Sequence, residues 1–90
     1  MEDTLLLVGS LSNDLMRVAN LTQRGSSKAA LRFLQEAKRW SRPLQKQDVA
    51  SYILNIAKDI SNREDDISIE SAEQYLMYSI LLQNYALHSK

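Results

Sequence analysis

An all-α fold, a small up-down bundle of four helices, is what this 90-residue sequence predicts. Three observations carry the expectation. Two glycines and one proline leave few breaks in the chain, which favours long helices over many short strands. Apolar residues recur at steps of three and four through most of the length, the spacing of one helix face. The polar stretches between these patterns are short, and short connections make consecutive helices antiparallel neighbours. The whole chain, 1–90, reads as a single domain.

The first helical pattern runs from about Asp3 to Arg24. Its stripe is Val8, Leu11, Leu15, Val18 and Thr22, widened by Leu7 and Ala19 into an ordinary core face. Gly25 follows where a left-handed C-cap belongs, and Ser26-Ser27 offers an N-cap for the next helix. That second helix, about Lys28 to Trp40, turns Ala30, Phe33, Leu34, Ala37 and Trp40 to one side. "WSRPL" then predicts a break near Ser41, because proline disfavours helix just before it and suits the first turn of a new one. The third helix is expected from about Leu44 to Asn62, with Val49, Ile53, Ile56 and Ile60 inward and Tyr52 and Ala57 beside them. "NREDDIS" is a polar connection, after which Ser68 or Ser71 caps the fourth helix.

The fourth helix is apolar on two sides. One stripe holds Ile69, Leu76, Ile80 and Leu87, flanked by Ala72; the other holds Tyr75, Tyr78, Leu82 and Tyr85, with Leu81 alongside. A single bundle face uses only one stripe. Either the helix lies centrally and is packed on both sides by its own chain, or one stripe meets another molecule. A chain of this size buries only about 60–65 % of the surface its unfolded form exposes. It has no cysteine to staple a thin core, and its sole histidine, His88, has no ligand cluster for a structural metal. A second subunit is the remaining support. The tyrosine stripe is therefore the expected protein interface, since tyrosine joins a large apolar area to a hydroxyl that tolerates water. A homodimer or a complex with another protein follows as the expected assembly.

Charge is zero in sum and divided in place. Residues 24–47 hold seven basic side chains against Glu36 alone, and the remainder carries the compensating acids. Lys28, Arg32 and Arg39 lie opposite the apolar side of the second helix, with Arg42 further along. Such a face contacts a polyanion such as nucleic acid, or is simply solvated. Zero net charge favours solvation, because nucleic-acid-binding domains carry a clear basic excess.

Catalytic chemistry finds no footing in the sequence. There is no thiol nucleophile, and the acids of "REDD" are adjacent instead of paired in a buried site. They also lack the spacing, glycine and distal glutamate of a calcium loop. "VGSLSND" lacks the second glycine and lysine of a phosphate loop. No cofactor or metal is expected. Acids precede the first apolar run where a signal peptide has basic residues, and no apolar stretch reaches the roughly eighteen residues of a membrane span. A cytoplasmic, non-catalytic interaction protein is the resulting expectation, and the Asn20-Leu21-Thr22 triplet then has no glycosylation role.

Overall fold

A computed structural model describes residues 3–88, which form four helices: α1 (Thr4–Gln23), α2 (Ser27–Leu44), α3 (Ser51–Asn62) and α4 (Ile69–His88). They pack as an all-α bundle in which α1 lies against both α2 and α4, and α2 lies against α3. Helices α1 and α2 thus each lie between two neighbours.

Each boundary has a local cause. Asp3 accepts hydrogen bonds from the backbone N–H groups of Leu5 and Leu6 and caps α1. At the other end Gly25, at φ 81°, takes the left-handed conformation that a residue without Cβ reaches at no cost. The Ser26 N–H reaches the Leu21 carbonyl and the Gly25 N–H reaches that of Thr22, closing the helix as a Schellman motif. Ser26 holds the N-cap position of α2, although its side chain makes no capping bond. Ser68 caps α4 by accepting from the Ser71 N–H, and the Ser71 hydroxyl donates to Asp66 in the preceding loop.

One expected break is absent. Helix α2 continues through Pro43 and ends at Leu44, so α3 starts at Ser51 instead of Leu44. Proline removes one N–H and crowds the turn before it, an effect most easily borne in a final turn. The chain then tightens through short-range bonds from Gln45, Lys46 and Gln47 back to the carbonyls of Arg42, Pro43 and Leu44. Thr4 Oγ1 donates to Gln47 Oε1 and fastens this turn to the start of α1.

The core is the one expected for α1: Leu7, Val8, Leu11, Leu15, Val18 and Ala19 are buried, with Thr22 at its margin. Ala30, Leu34, Ala37 and Leu44 complete the α2 side, and Ile53, Ile56, Ala57 and Ile60 the α3 side. Phe33, Trp40 and Val49 are half-buried against this cluster, whereas Tyr52 is exposed.

Serine sets two of the three close helix pairs. Ser12 Oγ donates to the Ser79 carbonyl and Ser79 Oγ to that of Ser12, each at 2.8 Å, which brackets α1 to α4. Ser41 and Ser61 hydroxyls meet at 2.7 Å between α2 and α3. Side chains this small let helix backbones approach, and their hydroxyls are satisfied where they meet.

The α3–α4 seam is built differently, by long side chains on matched rungs. Arg63 reaches Gln74, Asp59 reaches Tyr78, and Tyr52 meets Tyr85, so the contacts step by four and then seven residues in opposite directions. That is an antiparallel register written in polar and aromatic groups.

Candidate functional site

The seam decides the fate of the tyrosine stripe. Tyr75 is 0 % exposed, and its hydroxyl donates to the Asp66 carbonyl at 2.8 Å while the Arg63 guanidinium lies 5.0 Å from its ring centre. Burial pushes the Tyr75 phenol above its ordinary value. Leu82 is likewise fully buried. Tyr78 and Tyr85 are half-buried: Tyr78 donates to Asp59 Oδ2 at 2.6 Å, and the Tyr85 ring stands edge-on to Tyr52 at 6.1 Å. Burial first, and the Asp59 carboxylate second, push the Tyr78 phenol up to about 12. The expected outward surface of Tyr75, Tyr78, Leu82 and Tyr85 is corrected at Tyr75 and Leu82, which are fully buried, while Tyr78 and Tyr85 keep part of their surface open. Tyr75 and Tyr78 find partners for their hydroxyls within the chain, at Asp66 and Asp59.

The opposite flank of α4 is the one left open. Ile69 is 57 % exposed and Leu87 65 %, and Met77, Ile80 and Leu81 are exposed with them. At about 100° per residue, Ile69, Leu76, Ile80 and Leu87 fall within roughly 40° of arc, and Met77 and Leu81 lie on one side of it. Glu73 and Asn84 interrupt that span in the middle of the helix, and Glu70 and His88 at its two ends. Within this stripe Leu76 is half-buried and the flanking Ala72 fully buried, so the open part is Ile69, Met77, Ile80, Leu81 and Leu87. The α1 residues Leu5 and Leu6 are exposed as well.

Lys28, Arg32, Arg39 and Arg42 all stand exposed along α2, as expected. Among the described residues the ion pairs are Lys38–Asp65 at 3.5 Å and Arg63–Asp59 at 2.6 Å, so these four cations are in none. Arg32 and Arg39 border a hollow of about 450 Å³ that Phe33 and Glu36 also line, which places a carboxylate inside the basic face.

One group escaped the sequence reading. Asp14 is buried on α1 and accepts a hydrogen bond from Trp40 Nε1 at 3.0 Å, tying α1 to α2. Burial, joined by the neighbouring Glu36 carboxyl, raises Asp14 from 3.8 to about 7, against the opposing pull of Trp40 and Arg17. The clue was available: position 14 lies one turn from both Leu11 and Val18, at the edge of the core stripe. The sign of the consequence follows from proton counting. Between pH ~4 and ~7 the folded chain keeps a proton that the unfolded chain has lost, so this group makes stability fall as pH rises and level off above ~7. Asp14→Asn keeps an acceptor for Trp40 and removes the proton. The variant is expected to match the parent near pH 4 and exceed it near pH 8 by a few kcal/mol, at about 1.4 kcal/mol per unit. Urea unfolding followed by Trp40 fluorescence at both pH values reads this, and equal differences at both would show that Asp14 titrates normally.

No protein-family model, curated protein or solved structure matches this chain. Among the described residues no helix is long and apolar enough to cross a membrane, and no group of three or more His, Asp or Glu side chains is placed to hold a metal ion.

Proposed function

We propose that this chain is a non-catalytic, cytoplasmic protein–protein interaction module that self-associates through the outward flank of α4. The observation behind the reading is the exposure of Ile69, Met77, Ile80, Leu81 and Leu87 along one helix. Twenty residues make a face about 30 Å long and about 10 Å wide. Apolar patches of roughly 300 Å² and above on a monomer are commonly functional. The polar side chains met within the fold have structural occupations: Ser12, Asp14, Asp59 and Arg63 hold helices together. Sedimentation from submicromolar to tens of micromolar tests the reading. A concentration-dependent dimer is expected, because one helix face lies below the roughly 800 Å² per partner of a standard stable interface. A monomer throughout that range would remove the reading.

A second reading, polyanion binding along α2, has one observation in its favour: Lys28, Arg32, Arg39 and Arg42 are exposed and outside the ion pairs. If these four cations track a single strand, log affinity should fall with log salt at a slope of about −3, from −0.7 per phosphate neutralised. Titration of a labelled oligonucleotide at 20 and 200 mM salt measures it. No binding at the lower salt would exclude the reading.

A further inference from the structure

Resting on that self-association reading, we infer that two copies pair α4 against α4 in antiparallel about a two-fold axis passing between Met77 and Ile80. A single stripe that binds its own copy under two-fold symmetry must be self-complementary, residue i meeting j and j meeting i. Facing Glu73 with Asn84 of the second copy fixes the register and sets Ile69 level with His88. The same register sets Met77 level with Ile80 of the second copy, each within about 30° of the contact line, apolar on apolar at the centre. No charged residue interrupts α4 between Glu73 and His88, so this centre is continuous.

The ends distinguish antiparallel from parallel. In antiparallel, Glu73 meets Asn84 of the second copy, whose amide donates, and Glu70 falls beside His88. In parallel, Glu70 meets Glu70 and Glu73 meets Glu73, two like-charge pairs with no cation on α4 to relieve them before His88. Opposed helix dipoles favour antiparallel in the same direction. Acid against amide, and oil against oil, select one arrangement of the two copies.

The absence of cysteine from the chain makes the arrangement measurable by introduced thiols. In the inferred register, residues 77 and 80 lie about 4.5 Å along the axis from a two-fold mate of the same number, three residues' rise. Positions 69 and 87 lie roughly 25–28 Å from theirs, beyond the reach of any disulfide. All four are exposed, so substitution leaves the core untouched. Each single variant, Ile69→Cys, Met77→Cys, Ile80→Cys and Leu87→Cys, is oxidised mildly at a concentration where sedimentation shows a dimer, with circular dichroism to verify folding. Met77→Cys and Ile80→Cys are expected to self-link, Ile69→Cys and Leu87→Cys to remain unlinked alone, and an equimolar mixture of the latter two to cross-link. Self-linking at 69 or 87 would overturn the antiparallel register and leave self-association standing. A dimer that no thiol links would overturn both the register and the α4 surface, and a monomer by sedimentation would overturn everything in this proposal.

Discussion

Truncating Tyr75 to alanine is expected to lower the unfolding free energy by about 3–5 kcal/mol, the cost of removing a large buried ring. Tyr75 is enclosed by its own chain, its hydroxyl is bonded to the Asp66 carbonyl, and the Arg63 guanidinium rests over its ring. Alanine would leave a cavity, strip Arg63 of its aromatic partner and release the loop before α4. Tyr75→Phe isolates the hydroxyl and should cost only about 1 kcal/mol, the net worth of one hydrogen bond. Urea unfolding at fixed pH reads both. A ring that belonged to an intermolecular contact would behave otherwise: its loss would weaken a dimer and spare the monomer. A Tyr75→Ala variant with parental stability would return the stripe to the surface.

The complementary substitution lies on the other flank. Met77→Asp combined with Ile80→Asp is expected to leave a folded chain whose dimer is weakened by at least 100-fold, about 2.7 kcal/mol. Both side chains are already open to water, so the fold loses little; exposed substitutions usually change stability by under about 0.5 kcal/mol. In a dimer they would bring four carboxylates together at the symmetry axis and remove its apolar centre. Sedimentation and urea unfolding on the same preparation separate the two effects. Loss of folding would place this flank in the core, and an unchanged dimer would place the interface elsewhere.

The helices were legible in the sequence where their apolar residues are confined to one face. Along α1, every residue of the expected stripe is buried, although Leu5 and Leu6 near its start stay exposed. Gly25 was equally readable, since a glycine after a helical pattern has one common use. Proline misled: the rule against helix before Pro43 holds in a helix interior, and here the residue falls in the last turn. On α4 the spacing found both apolar flanks but could not rank them, because periodicity reports that a face is oily and is silent on what neighbours offer it. The decisive partners were remote in sequence. Asp59 and Arg63 of the α3 end supply the charge and hydrogen bonds that tyrosine hydroxyls and rings can use, whereas isoleucine and leucine can use neither. Asp14 was missed for a related reason, since a carboxyl on a core face reads as an error until its Trp40 partner is known.

The paired Ser12 and Ser79 do more than shorten a distance. A helix lined evenly with branched side chains can roll about its long axis and find another comfortable seat; a helix with one narrow notch cannot. Rolling α4 far enough to bring Ile80 inward would drive an isoleucine where only a hydroxymethyl group fits against α1. Two of the smallest polar residues in the chain thus act as a keyway. They determine the rotational setting of the last helix, and with it which of its oily flanks is offered to the outside world.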